Sequence, residues 1–253
     1  MQPTKSSKEY LSQLKQFTAA RVGLNRSGIS KTTEDLLLLK AAHAKAKDSL
    51  YQIFEMHHIT NAIRAMNREV FHLKSNATNK KEFLLRPDLG RQLNSHSNAE
   101  IKENVAGKKY DVCMSISDGL SAGAVNNHAL PLLDILLQKI DATGLTIAPI
   151  CIVENGRVAI SDETGFLSNA KISLILIGER PGLTAPDSMG VYLTYEPKIG
   201  NTDANRNCIS NIHSGGLSYD EAADETFFLL RKSIQMKLSG SSLLLQDNNN
   251  LNQ

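Results

Sequence analysis

Residues 171–178, KISLILIG, form the most apolar run of the chain and determine how the surrounding segments fold. A membrane span needs about 20 apolar residues, so this run is too short to cross a bilayer. Its β-branched side chains suit a strand that is buried on both faces. YDVCMSIS at 110–117 and TIAPICIV at 146–153 share this character. Together the three runs predict neighbouring parallel strands at the centre of the protein.

Helical patterns lie between and after these strands. NHALPLLDILLQKI at 127–140 and YDEAADETFFLLRKSIQMKL at 219–238 are both amphipathic, while VYLTYEP at 191–197 alternates like a strand nearer the edge of a sheet. The alternation of strands and helices predicts a Rossmann-like α/β fold, with an open, mostly parallel sheet and helices on both faces.

The amino-terminal part has a different pattern. Helices are expected over residues 6–20 and 32–50, the second with an N-terminal cap pattern at Thr32 and Asp35. A third helix is expected over 60–73, where apolar residues follow helical spacing. These apolar residues are Ile63, Met66, Val70 and Leu73.

Composition and breaks in the pattern suggest how the chain is organised. Pro and Gly in RPDLGR, residues 86–91, interrupt the helical region. We therefore predict a helical region over 1–85 and a Rossmann-like domain over 86–245. The Asn-rich segment 246–253 is expected to be a disordered tail.

Charge and cysteine content exclude several classes of protein. Up to Arg86 the chain has 15 Lys and Arg against 7 Asp and Glu, although its net charge is only +2. The basic residues are spread and are not interleaved with aromatic residues, which favours solvated helix faces over a nucleic-acid surface. Three cysteines without CxxC spacing predict neither a disulfide framework nor a zinc site. No secretory signal is recognisable, so a cytoplasmic location is expected.

Acidic residues beside glycines follow two of the predicted strands. The first strand leads into SDGLSAGA at 117–124 and the third into GERPGL at 178–183. Ligands of open α/β sheets bind where such loops converge, and Asp118 or Glu179 could accept hydrogen bonds there from amides or hydroxyls. GxGxxG, P-loop and GxSxG motifs are all absent from the sequence, so these loops name no reaction.

A histidine lies in ISNIHSGG at 209–216, between Ser210 and Ser214. His213 could belong to a catalytic loop, or it could be a loop histidine that bonds to the backbone. Sequence adjacency does not place a nucleophile next to a base, so residue spacing leaves both interpretations open.

Five ordered motifs identify a family resemblance. RPDLGRQL, ISDGLSAGAV, LIGERPGL and NCISNIHSGG follow TAARVGLNRSG in that order. Over residues 17–240 the chain resembles the small subunit of adenosylcobalamin-dependent ethanolamine ammonia-lyase. In that family a larger barrel subunit lies on the other side of the cofactor and carries the main catalytic residues. The resemblance therefore implies a subunit that holds adenosylcobalamin for the radical conversion of ethanolamine to acetaldehyde and ammonia.

The resemblance also makes the domain over 86–245 a cobalamin-binding domain and implies specific site residues. The family's cobalamin contacts fall here on Val158 in NGRVAI, Glu179 in GERPGL and Cys208 in NCISNIHSGG. It implies no catalytic residue in this chain. The Asp-x-His-x-x-Gly motif of proteins that ligate cobalt through histidine is absent, so no residue is expected to bind the metal. The motif NCISNIHSGG is then expected to be a cofactor-binding loop, and His213 is expected to shape it.

Partners and location follow from the same resemblance. We expect the large subunit and cobalamin as partners, a higher-order hetero-oligomer, and neither nucleic acid nor membrane. Only about 17 residues precede the first motif, fewer than in members packaged into a bacterial microcompartment, so that location is the alternative to the open cytoplasm. Two other functions remain as alternatives: a free-standing α/β enzyme that uses Asp118, Glu179 and His213 in a strand-end pocket, and a non-catalytic scaffold subunit.

Overall fold

The computed structural model describes residues 13–14, 16–17, 26–27, 30–243 and 245. Its centre is a six-stranded sheet with helices on both faces, and a two-stranded pair precedes it. The strands are β1 (Arg26–Ser27), β2 (Ser30–Lys31), β3 (Val70–Lys74), β4 (Tyr110–Ser117), β5 (Ile150–Glu154), β6 (Ala170–Gly178), β7 (Met189–Tyr195) and β8 (Arg206–Ile212). The α-helices are α1 (Thr33–Tyr51), α2 (Met56–Ala65), α3 (Lys80–Leu85), α4 (Ser95–Val105), α5 (Ala122–Asp141), α6 (Ile160–Leu167) and α7 (Tyr219–Met236).

The strand order confirms the predicted open, mostly parallel sheet. Strands lie in the order β3-β5-β4-β6-β7-β8, and the first four run parallel to one another. β7 pairs antiparallel with β6, and β8 antiparallel with β7. The loops after β4, β5 and β6 therefore leave the same edge of the sheet, because parallel strands end on one side.

Two apolar cores hold helices against the two faces of the sheet. On one face Ile59 of α2, Leu133 of α5 and Leu230 of α7 pack against the sheet. On the other face Ile101 of α4 and Ile160 of α6 pack against it. β4 and β6 are nearly all buried because helices cover both of their faces. No helix in the described part of the chain is long and apolar enough to span a membrane.

The predicted helix over 60–73 is wrong in its second half. Helix α2 ends at Ala65, Asn67 adopts a left-handed φ of 58°, and the chain then enters β3 at the edge of the sheet. Phe71 and Leu73 are buried two residues apart, which is strand periodicity. The apolar residues fit both spacings, so the pattern alone could not separate a helix from a short strand. The sheet thus takes one strand from the segment that was predicted to be wholly helical.

Three other predicted segments differ in detail. The strand predicted over 146–153 is confined to β5, because Pro149 precedes it and cannot donate to a strand ladder. The strand predicted over 191–197 is β7, but it lies inside the sheet because β8 covers it. The NCIS part of the last motif belongs to strand β8 and not to a loop, so the loop begins at His213.

Helix boundaries depend on side-chain caps. Helix α1 begins as predicted, with the Thr32 hydroxyl accepting from the Asp35 amide. Helix α5 begins at Ala122, five residues before the predicted pattern, because the Ser121 hydroxyl accepts from the Ala124 amide. Most of the helix expected over 6–20 and the whole 246–253 tail lie outside the described residues.

Candidate cofactor-binding site

Four chain segments converge at the carboxyl edge of the parallel strands. The loops after β4, β5 and β6 leave this edge. β8 also ends here, since its Ile212 lies opposite Met189, which itself pairs with Gly178 at the end of β6. The predicted SDGLSAGA and GERPGL segments and the loop of His213 therefore share one edge of the sheet.

Two glycines let the loops after β4 and β6 approach each other closely. A Cβ on Gly178 would collide with the backbone carbonyls of Asp118 and Ser121. Gly119 has a left-handed φ of 53°, and a Cβ there would collide with the carbonyl of Gly178. The Leu120 amide donates to that same carbonyl at 2.9 Å. The glycines of both motifs are thus needed to join the two loops.

A cavity of about 400 Å³ opens between these loops. It contains two of the three predicted cobalamin contacts, Val158 and Glu179. The third, Cys208, lies on β8 directly opposite Tyr192, a residue that does line the cavity. The full lining is Gly119, Leu120, Arg157, Val158, Ile177, Gly178, Glu179, Arg180, Tyr192 and Ser210.

The Glu179 carboxylate lies at the start of the loop after β6. It joins this loop to the residue before β7 and to strand β8. One oxygen accepts from the Ser188 hydroxyl at 2.5 Å and from the backbone amide of Asn211 at 3.2 Å. The other oxygen accepts from the Ser210 hydroxyl. The Glu179 amide donates to the Ser188 carbonyl at 2.9 Å. All three of these donors belong to the chain itself, so hydrogen bonds from a ligand to this carboxylate stay a prediction.

Cys208 is exposed, whereas Cys113 and Cys151 are buried. Burial by the surrounding groups raises the pKa of the Cys208 thiol above its ordinary value, and the negative charge of Glu179 raises it further, while Tyr192 partly opposes both. The thiolate is the form that attacks electrophiles or binds metals. At neutral pH this residue is therefore a neutral thiol on β8, opposite Tyr192 of the cavity lining.

Asp118 serves the packing of the loops. Its carboxylate accepts from the Lys80 ammonium at 2.7 Å and from the Asn155 amide at 2.7 Å, so it joins α3 and the loop after β5. Burial raises the pKa of Asp118, and the Lys80 ammonium opposes that effect. Asp118 is 5 % exposed and is not among the residues that line the cavity.

His213 shapes its own turn. Its Nε2 is 2.8 Å from the Asn211 side-chain oxygen, and its Nδ1 accepts from the Gly215 amide at 3.1 Å. No hydrogen bond within the described ranges joins this imidazole to Asp118 or Glu179. The strand-end acid–base arrangement of the free-standing enzyme is therefore absent from the described residues.

Arg157 is the residue missed by sequence reasoning that the fold holds most firmly at this site. Its guanidinium lies 4.0 Å from the centroid of the Phe83 ring and donates to the Phe83 carbonyl at 2.9 Å. Its amide donates to the Gly90 carbonyl at 2.7 Å, and a Cβ on Gly90 would lie 2.9 Å from the Arg157 side chain. In the sequence, only its position beside Val158 could have indicated that Arg157 belongs to this site. The glycine of RPDLGR, Gly90, packs against the Arg157 side chain.

A second cavity of about 510 Å³ adjoins the first. The two share Leu120, Arg157 and Arg180, and helix α1 supplies His43 and Lys47 to the second. Helix α1 therefore forms one wall of the hollow at the carboxyl edge. No cluster of three His, Cys, Asp or Glu that could hold a metal occurs in the part of the chain that the structure describes.

An open α/β sheet with a cavity at the carboxyl edge of its parallel strands defines a ligand-binding protein of the Rossmann-like class. The comparisons with known proteins identify the family. The chain belongs to the ethanolamine ammonia-lyase light chain (EutC) family, whose model matches residues 8–244. Its function is that of the small subunit of ethanolamine ammonia-lyase, a carbon–nitrogen lyase that depends on adenosylcobalamin. The designation small subunit implies a large-subunit partner.

Relatives resemble the chain over almost its full length. The ethanolamine ammonia-lyase small subunit of Azotobacter vinelandii is 44% identical over 233 residues, which are 91% of this chain and 86% of that protein. The small subunit of Pseudomonas aeruginosa strain LESB58 is 44% identical over 232 residues, covering 91% and 85%. That of Pseudomonas fluorescens is 42% identical over 243 residues, covering 95% and 88%.

Proposed function

We propose that this chain binds one side of adenosylcobalamin at the carboxyl edge of its sheet and holds it against the large subunit. The observation that carries the proposal is the cavity itself, which brings Val158 and Glu179 together from different loops and places Cys208 on the adjoining strand. These residues would be contacts of the cofactor, and the main catalytic residues would belong to the large subunit.

The size of the cavity supports a shared site. Pockets that enclose a drug-sized ligand have volumes of about 300 to 1,000 Å³. A cobalamin, with its corrin ring, amide side chains and nucleotide loop, is far larger than such ligands, and the first cavity measures about 400 Å³. This surface can therefore cover one part of the cofactor only, and a second protein surface is needed to exclude water from the rest.

The chemistry of the lining also fits this cofactor. The corrin rim carries amides that donate and accept, and the nucleotide loop adds hydroxyls and a phosphate. Arg157 and Arg180 offer donors, Tyr192 and Ser210 offer hydroxyls, and Glu179 offers acceptors. Adenosylcobalamin supplies the radical chemistry when bound, and this chain's residues bind and orient it. Since Asp118, Glu179 and His213 are engaged in local hydrogen bonds, none is assigned a proton-transfer role.

Helix α1 is the surface that best fits a contact with a neighbouring subunit. Leu37 and Leu38 are each 60% exposed on it, and Ile53 just after it is 82% exposed. Exposed large apolar side chains favour protein contacts over nucleic-acid binding. We propose that neighbouring subunits of a higher-order hetero-oligomer cover this surface. The proposed location is the cytoplasm, with a bacterial microcompartment as the alternative.

Coexpression with the large subunit tests the proposal. Acetaldehyde production from ethanolamine should require both chains and adenosylcobalamin, and spectroscopic titration of the complex should show cobalamin binding. Either chain alone should show no turnover. Deaminase activity of this chain alone, or a complex that binds cobalamin equally well without it, would contradict the proposal.

A further inference from the structure

Three cationic side chains surround the two adjoining cavities. Arg157 and Arg180 line both cavities, and Lys47 of α1 lines the second. Among the described residues, the second cavity has no acidic side chain in its lining. Glu179 in the first cavity is the only acidic lining residue within the same ranges, and it already accepts three hydrogen bonds from the chain. The hollow is therefore electropositive where the two cavities meet.

None of these three cations has a salt bridge within the described ranges. Two of the three, Lys47 and Arg180, are exposed, and Arg157 is half-buried. By contrast, the buried Arg206 pairs with Asp162. Burying a positive charge without a carboxylate partner is costly, so the missing salt bridge matters most for Arg157. The protein thus groups one half-buried and two exposed cations at one place without a salt bridge.

Arg157 is fixed by its neighbours and keeps a donor that no group of the described residues satisfies. The Phe83 ring and carbonyl and the Gly90 carbonyl fix the residue, yet its Nε is buried without any hydrogen-bond partner. Burial lowers the pKa of the Arg157 guanidinium relative to its ordinary value, and the nearby charge of Asp118 opposes this effect only in part. A fixed, underused guanidinium beside two further cations matches a planar or tetrahedral oxyanion.

We propose that Lys47, Arg157 and Arg180 form a phosphate subsite that binds the phosphodiester of the cobalamin nucleotide loop. This inference rests on the proposed function, because it places the nucleotide next to the cavity of Val158 and Glu179. The side chains on the corrin rim are neutral amides, so the phosphodiester is the peripheral group of cobalamin whose charge complements this subsite. Helix α1 then contributes to cofactor binding through Lys47 as well as to the proposed subunit contact.

The test compares three corrinoids on the complex with the large subunit, by spectroscopic titration. Cobalamin carries the nucleotide loop, cobinamide lacks it together with its phosphate, and cobinamide phosphate restores the phosphate without ribose or base. The unmodified complex should bind cobalamin and cobinamide phosphate more tightly than cobinamide. Arg180→Gln and Lys47→Gln should each weaken the binding of the two phosphate-bearing corrinoids by about tenfold and leave cobinamide binding unchanged. Arg157→Gln should do the same if that variant folds.

Matched controls are Lys45→Gln on α1 and Arg64→Gln on α2, two exposed cations that line neither cavity and should change nothing. If Arg180→Gln and Lys47→Gln weakened the binding of all three corrinoids equally, or weakened none, the phosphate subsite would be overturned. Weaker association with the large subunit at an unchanged corrinoid preference would also overturn it, because the cations would then face an acidic surface of the partner. If the unmodified complex bound no corrinoid, the proposed function itself would fail.

Discussion

Glu179→Gln separates two roles of this carboxylate. The first is to join β6, β7 and β8, and the second is to contact cobalamin. The side chain accepts hydrogen bonds from Ser188, Ser210 and the Asn211 amide. A hydrogen bond to a charged group contributes about 1.5 to 3 kcal/mol and a neutral one about 0.5 to 1.5 kcal/mol. A glutamine can orient its oxygen toward Ser188 and Asn211 and its amide toward the Ser210 hydroxyl, so all three bonds lose their charge but can persist. The loss of about 1 kcal/mol per bond is partly offset because a neutral side chain is cheaper to bury.

We therefore expect the free energy of unfolding to fall by about 2 kcal/mol, which lowers the melting temperature of a domain of this size by about 4 to 8 °C. Differential scanning calorimetry of the complex measures this change. Ser210→Ala removes one donor and should have a smaller effect. An unchanged melting temperature for Glu179→Gln would refute the role of the carboxylate in joining β6, β7 and β8.

Cobalamin affinity tests the second role of Glu179. If the carboxylate also contacts the cofactor, Glu179→Gln should raise the dissociation constant of the complex for cobalamin about tenfold to a hundredfold, with less effect on turnover at saturating cofactor. Asp118→Asn is the comparison, because Asp118 follows the neighbouring strand but does not line the cavity. An unchanged dissociation constant for Glu179→Gln would show that the carboxylate only stabilises the fold.

Three further changes test other parts of the structure. Leu37→Glu should reduce copurification with the large subunit while leaving the circular dichroism spectrum unchanged, because this side chain is 60% exposed; undiminished assembly would contradict a contact at α1. Gly178→Ala should lower the melting temperature and abolish cobalamin binding, since its Cβ would collide with the Ser121 carbonyl; normal binding would contradict the close contact of the loops. Hydrogen bonds from Lys171 and Thr146 lower the pKa of Asp111 despite the opposing effect of burial, so its stabilisation is present above the unfolded pKa near 3.8 and is lost as pH falls below that value. The stability difference between the protein and Asp111→Asn, measured by denaturant unfolding, should therefore close below about pH 4 and stay constant at neutral pH; a gap that persisted at lower pH would contradict the ion pair.

The centre of the fold could be predicted because burial alone specifies it. β4 and β6 are covered on both faces, so nearly all their residues are apolar and the runs are visible in the sequence. β3 and β8 lie at the two edges of the sheet and mix polar with apolar residues, so their short patterns were assigned to a helix and to a loop. The residues that distinguish these cases, such as Asn67 with its positive φ, act through backbone conformation and carry no clear periodic signal.

The cavity was predictable in its position but not in its full lining. Strand ends followed by glycines pointed to the edge of the sheet where the cavity lies, and the family resemblance supplied Val158 and Glu179, which both line it. Arg157 could not be recognised in this way. Its position depends on the ring and carbonyl of Phe83 and on the close approach of Gly90, and these contacts come from a segment far away in the sequence. Such long-range packing is specified only by the folded chain.

Alkylation of Cys208 in the assembled complex is the most direct measurement of whether cobalamin lies on this surface. Cys208 is the exposed cysteine of the three, while Cys113 and Cys151 are buried, so a maleimide should label this thiol first. Saturating cobalamin should slow the labelling of Cys208, followed by peptide mass spectrometry, whereas ethanolamine alone should not. A labelling rate that is the same with and without bound cobalamin would contradict a cofactor seated against β8 and the loops of Val158 and Glu179.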